Sequence, residues 1–208
     1  MKHKDPVPVD VTSTFYECPT CGSLLDGPAF ADGRQACPVC GATVAGGAQR
    51  RVFPTDRLRR LDSRIRRYHE DGENEIVVIL AAAFLEAILE DIIDRILISH
   101  GADLPVRRAV LDAQRAIGGR ISKLFPQLTG HEFEDVAAEL GFRDFPRRWR
   151  DMREARNAFI HDSPFHGAKE SIDPRMASQA MQLLDQAYQL FVLMTNRFVA
   201  DGRSRETA

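Results

Sequence analysis

Four cysteines sit in two near-identical knuckles, Cys18-Pro19-Thr20-Cys21-Gly22 and Cys37-Pro38-Val39-Cys40-Gly41, and the chain has no others. Two residues between thiols let one tight turn present both sulfurs to a single ion. Gly22 and Gly41 follow each second cysteine, where a left-handed backbone is commonly needed and glycine adopts it at little cost. Fifteen residues separate the knuckles, inside the range of a Cys₄ zinc site. A redox Cys-x-x-Cys would be a single motif beside a βαβ pattern, which this sequence lacks. A catalytic zinc needs an open position, and four thiolates close the shell. The chemistry expected of Cys18, Cys21, Cys37 and Cys40 is therefore one structural Zn²⁺ per chain.

A second constellation lies nearer the end, Arg156-Asn157-Ala158-Phe159-Ile160-His161. Arginine is always charged and bidentate toward phosphate, and histidine moves protons near neutral pH. On an ideal helix Arg156 and His161 lie about 140° apart in projection and about 7.5 Å apart along the axis. The residues that share a stripe with His161 are Arg153 and Asn157, at i, i+4, i+8. A plainer reading also fits. Histidine near a helix C-terminus is favoured by the macrodipole, and Arg143, Arg147, Arg148, Arg150, Arg153 and Arg156 with Asp144, Asp151 and Glu154 make a solvated face.

The elements that must position these groups are mostly helices. Past the Gly-rich stretch 41–47, Thr55-Asp56 caps a helix with Leu58, Leu61, Ile65 and Tyr68 at helical spacing, ended by Asp71-Gly72. A long apolar helix follows from about Glu75 to Ser99, where Glu86, Glu90 and Asp94 open a polar stripe at i, i+4, i+8. Shorter helices are predicted near 105–117, 119–125 and 131–140, broken at Gly118-Gly119, Pro126 and Gly141. The segment 146–161 puts Trp149, Met152, Ala155 and Phe159 toward the core and stops at Ser163-Pro164. Asp173-Pro174 then starts a final helix whose apolar face runs from Met176 to Phe198. No β pattern appears after residue 50. The expected fold is mainly all-α, a helical bundle preceded by a small metal-binding module.

Composition bounds the function. The 208 residues are 44% hydrophobic and 28% charged with net charge −2, ordinary values for a water-soluble chain with one good core and a small accessory module. Residues 50–67 carry eight arginines against two aspartates, while 70–94 hold eight acids and no Lys or Arg. A basic segment next to an acidic one serves nucleic-acid binding or internal pairing. Acids inside the apolar run 76–98 argue against a membrane span. The polar start Met1 to Asp10 reads as no secretory signal, which places the protein in a reducing cytoplasm. Histidines 3, 69, 100, 131 and 166 have no partner pattern, with His166 a possible addition to the second constellation.

The cysteine knuckles and their surroundings, about Phe15 to Ala45, resemble a zinc ribbon. Between its knuckles only Arg34 is cationic, against Asp26 and Asp32, which points to a protein partner through the ribbon at least as much as to nucleic acid. The remainder, about 73–200, resembles HEPN domains. The resemblance rests on the R-x₄-H spacing of Arg156 and His161, the long early helix rich in Ala, Ile and Glu, and the Leu-Phe-Pro stretch within 123–127. It also takes in the Phe133 to Gly141 segment, the Trp149 to Asn157 run and the final amphipathic helix. It implies three units: 1–49, a zinc ribbon with a short tail; 50–72, a basic linking helix; and 73–208, a HEPN-like bundle. It further implies a metal-independent endoribonuclease of defence or toxin type, acting on RNA as a homodimer whose two motifs face each other. Arg156 and His161 would be the catalytic pair, Asn157 would hold one of them in position, and Glu86 is a further family-style candidate. In this chemistry the RNA 2′-OH attacks the adjacent phosphate, histidine moves the proton and arginine meets the developing charge. The angular problem has two solutions: the helix unwinds near His161, or each Arg156 serves the partner's His161. The other class the resemblance allows is a non-catalytic module docking protein or nucleic acid.

Overall fold

The computed structural model describes residues 15–18, 20, 24–26, 36–37, 40–42, 49–51, 56–161 and 172–205. Three short strands, β1 (Phe15–Glu17), β2 (Leu24–Asp26) and β3 (Gln49–Arg51), precede a run of helices. β1 is central and antiparallel to both neighbours, so Phe15 pairs with Asp26 on one side and Arg51 on the other. Arg50 and Arg51 thus lie on a strand, not at the head of the basic helix.

That helix is α1 (Asp56–Glu70). It buries Leu58 and Ile65, and Arg66 reaches both Asp62 at 3.1 Å and Asp185 at 2.7 Å, tying α1 to the last helix. Thr55, the other half of the expected cap, lies outside the described residues. The apolar stretch becomes α2 (Asn74–Ser99), the centre of the molecule. Its first half leaves Ile76 and Ala83 exposed and buries Val77, Val78, Ala81, Ala82, Phe84 and Leu85 on one broad face of about 160°, where other helices pack on it. The longest of them is α8 (Pro174–Arg205), with α1, α7 and α3 on other faces. α8 begins as its sequence dictates: Asp173 accepts from the Met176 amide at 2.8 Å and Pro174 occupies the first turn. The described chain is mainly helical, and no helix in it is long and apolar enough to cross a membrane.

Between α2 and α8 in sequence lie α3 (Leu104–Ala113), α4 (Ile117–Gly119), a π-helical turn (Arg120–Leu124), α5 (Phe125–Thr129), α6 (Phe133–Glu139) and α7 (Phe145–His161). The expected breaks at Gly118-Gly119 and Pro126 do not occur. Pro126 lacks an N–H and its ring would crowd the carbonyl one turn back. The wider π turn immediately before it absorbs that misfit, so helical structure runs from Ile117 to Thr129. Phe125, Phe133, Trp149 and Phe198 then make edge contacts at 5.4–6.2 Å, linking α5, α6, α7 and α8.

The small sheet is docked on the bundle. Leu24 is 2% exposed and belongs to the main core. β2 is an outer strand, and Asn196 on α8 takes the place of a missing neighbour. Its Oδ1 accepts from the Leu24 amide at 2.6 Å, and its Nδ2 donates to the Leu24 carbonyl at 2.9 Å. Asn196→Ala should therefore destabilise the protein by roughly 1–3 kcal/mol, since two half-buried backbone groups lose their partner. Asn196→Asp should be no better, because a carboxylate cannot donate to the Leu24 carbonyl. Urea titrations of the three proteins check this, and equal midpoints would refute the docking.

Candidate functional site

Two sets of residues carry the chemistry expected from the sequence. The first is the cysteine cluster. Cys18 leaves β1, and Cys37 and Cys40 sit on one tight turn. The Gly41 amide donates to the Cys37 carbonyl and the Cys37 amide to the Ala42 carbonyl, both at 2.8 Å. Gly41 has φ +72°, the left-handed conformation expected after the knuckle. The Sγ atoms of Cys18, Cys37 and Cys40 all lie within 4.8 Å of one another, with Cys18 and Cys37 fully buried. Cys21 and Gly22 lie outside the described residues. The Cys18–Cys40 separation is 3.8 Å, far beyond a disulfide bond of about 2.05 Å. It matches the edge of about 3.8 Å that a tetrahedron has when each sulfur is about 2.3 Å from a central metal. Three thiols placed so closely can hold one metal ion.

The second set is on α7. The helix is regular through His161, so it does not unwind before that residue to bring it round to Arg156. Arg156 faces the bundle and is only 24% exposed at its side chain. Its Nη1 donates to Glu86 Oε1 on α2 at 3.2 Å, and its buried Nε has no hydrogen-bond partner among the described residues. Arg153 Nε approaches the same Glu86 oxygen at 3.9 Å. Burial pulls Arg153 below the usual guanidinium range, Glu86 opposes that, and the charge of Arg156 adds to it. Asn157 and His161 are exposed. The chain thus gathers Arg153, Arg156 and Glu86 into one cluster and leaves His161 at the outer end of the same helix.

Phe159 differs from expectation. It is 42% exposed and its neighbour Ile160 is 48% exposed. Trp149, Met152 and Ala155 are buried on the expected face. Phe159 shares the helical phase of Trp149, Met152 and Ala155, yet a large part of its ring remains exposed.

The α2 stripe has a role that the sequence only outlined. Glu86 takes arginines from α7, Glu90 takes Arg120 of the π turn at 2.6 Å, and Asp94 takes Arg107 of α3 at 2.5 Å. Three later elements are thereby registered along one helix. The eight arginines of 50–67 are not these partners. Arg57, Arg60, Arg64 and Arg67 are instead exposed along one stripe of α1.

Because the Glu86–Arg156 pair is about a quarter to a third exposed, its coupling should fall between surface and buried pairs. A double-mutant cycle with Glu86→Gln and Arg156→Gln should give roughly 1–2 kcal/mol. Additive effects on the urea midpoint would show that the pair contributes nothing to the fold. No family model, curated protein or solved structure matches this chain.

Proposed function

We propose that this chain is a HEPN-type endoribonuclease that needs no catalytic metal and works as a homodimer, with a structural zinc in its N-terminal module. The observation that carries the reading is the surface at the end of α7. Asn157, Phe159, Ile160 and His161 are exposed together, beside an arginine held in place from below by Glu86. Two large apolar side chains next to a histidine make a surface that a second copy would cover. A two-fold axis there would bring two His161 side chains and two Arg156 guanidinium groups toward one cleft. Arg156 then stabilises phosphorane charge while His161 moves the proton of the 2′-OH or the leaving oxygen. Asn157, one turn from His161 and on its stripe, orients it. The role fits a defence or toxin effector of the cytoplasm. The exposed α1 arginines, spread over about 15 Å of helix, would track the RNA backbone.

In the metal centre, Cys21 completes the set begun by Cys18, Cys37 and Cys40. Four thiolates suit zinc in a closed structural site, and a protein partner is the simplest ligand for the ribbon's outer face.

Light scattering at micromolar concentration should report a dimer, and Phe159→Asp with Ile160→Asp should convert it to monomer with loss of cleavage. A wild-type monomer that cleaves RNA would overturn the assembly. The direct test of activity is ribonuclease assay of wild type and His161→Ala without divalent ions. A second reading is favoured by one observation, the occupation of Arg156 by Glu86, which a purely structural arginine would also show. In that reading the protein is a non-catalytic module docking protein or nucleic acid, and both proteins would be equally inactive.

A further inference from the structure

Ala83 is exposed in the middle of α2, between two features of opposite shape. On its N-terminal side Ile76 is 36% exposed and Leu80 is only partly buried, so the two make an apolar ridge. On its C-terminal side a cleft of about 660 Å³ opens between α1 and α3, with Ala83 and Ala87 in its floor and Leu58, Leu61 and Leu111 in its walls. Ile76, Leu80, Ala83 and Ala87 follow at i, i+4, i+7 and i+11, the spacing by which one helix presents a seam to another. The acids in the cleft do not make it a cation site. Glu90, Asp91 and Asp94 are already paired within the chain, with Arg120 at 2.6 Å, Arg95 at 3.1 Å and Arg107 at 2.5 Å.

Ridge and cleft share one face and lie on either side of one small residue. A two-fold axis through Ala83, with two α2 helices antiparallel, sets the ridge of each copy into the cleft of the other. A residue k positions before Ala83 then faces the residue k positions after it. Leu80 falls between Ala83 and Ala87, whose small side chains let the helices approach closely, and Ile76 reaches the far floor of the cleft. Charge follows the same symmetry. Glu75, eight positions before Ala83, comes opposite Asp91, where the exposed Arg57 stands in the cleft wall.

The surface continues onto α7, which runs antiparallel to α2. Phe145 and Trp149 share a pocket with Leu89 and Ile92, and Arg156 meets Glu86. The last turn of α7 is thereby carried toward Ala83, where Phe159 and Ile160 add their exposed apolar area. Measured along α2, Arg156 stands at the level of Glu86, about 4.5 Å from the axis, and His161 about 3 Å beyond the axis on the other side. The partner's His161 is then roughly level with Arg156.

We infer that two copies of this chain dock α2 against α2 across Ala83, ridge into cleft, and that this contact sets each Arg156 level with the partner's His161. The inference rests on the homodimer reading above and is independent of RNA cleavage.

Full-length protein is measured by light scattering and sedimentation across micromolar concentrations. Wild type should be a dimer. Ala83→Glu should raise its dissociation constant about a hundredfold or more, because two carboxylates would meet at the axis inside apolar surface. Ala83 is exposed in the single chain and glutamate is a good helix former, so circular dichroism and melting curves should show the variant folded. Arg57→Glu should weaken association about fivefold or more, and Arg57→Glu with Glu75→Arg should recover it. Arg57 begins α1 and Glu75 begins α2, so within one chain they lie at opposite ends of the hairpin and the recovery can only cross between copies. A wild-type monomer overturns this inference together with the homodimer reading. A dimer that Ala83→Glu and Arg57→Glu both leave unchanged overturns this inference alone. A dimer that Ala83→Glu dissociates supports it, whether or not the protein cleaves RNA.

Discussion

Alanine at His161 should lower metal-independent RNA cleavage by about 10²–10⁴-fold, the usual worth of a positioned general acid or base. The bundle should stay folded, because the side chain is exposed at the last residue of α7. Arg156→Ala should also abolish cleavage, and Arg156→Lys should fail nearly as badly, since an ammonium keeps the charge and loses the bidentate fork. Products should carry 2′,3′-cyclic or 3′-phosphate ends, brief EDTA treatment should be harmless, and a 2′-deoxy nucleotide at the cut site should block the reaction. The regular helix through His161 sharpens this expectation. With Arg156 and His161 about 140° apart on one α7, the proposed active centre would draw on two chains. Mixing inactive Arg156→Ala and Arg156-competent His161→Ala subunits should then restore roughly a quarter of wild-type activity after random exchange, because half the dimers hold one intact composite pair. No recovery in proven heterodimers would overturn the trans arrangement. Cleavage that depends on added Mg²⁺ and ignores both substitutions would overturn the mechanism itself.

Removing the metal should have the largest effect on stability. Elemental analysis should find about one zinc per chain, and prolonged chelation should unfold the module around Cys18, Cys37 and Cys40, whose folding energy in comparable small zinc units is about 10–16 kcal/mol of metal binding. The bundle supplies no ligand and should remain helical, but it should not be indifferent. Leu24 is buried against it and Asn196 is bonded to the Leu24 backbone. Losing a buried leucine contact of about 1.5–3 kcal/mol and that pair of hydrogen bonds should lower the melting temperature of the helical transition by roughly 5–20 °C. Cys37→Ser should reproduce the whole effect without chelator. Zinc-free protein as purified would sink the metal assignment, and an unchanged helical transition would sink the coupling.

These two expectations differ in how much of their basis is visible in one dimension. The knuckles are local: sulfur spacing, the glycine after Cys40 and the tight turn are set within a few residues, and Gly41 adopts the backbone its position demands. The same holds for the helix boundaries with strong punctuation, such as Asp173-Pro174 opening α8 and Gly72 and Gly101 closing α1 and α2. Apolar periodicity likewise identified the buried face of α8, because burial on one side of a helix imposes a repeat that any partner would satisfy.

Partners are another matter. Glu86, Glu90 and Asp94 are legible as a polar stripe, but nothing in their spacing says that α7, the π turn and α3 each send an arginine to one of them. Proline at 126 reads as a break until the widened turn before it is seen. Phe159 has the core-facing phase of Trp149 and Met152 and is nevertheless exposed. The Leu24–Asn196 pair spans 172 residues, and the cleft that Gly118 and Ser122 share with Trp149 and Arg153 joins segments about 30 residues apart. Local sequence determined which residues form turns, caps and buried faces, since those choices are made by backbone strain and side-chain transfer from water. Tertiary structure decided what each face meets, since helix crossing points follow from the shape of the whole core and leave no periodic trace in the chain.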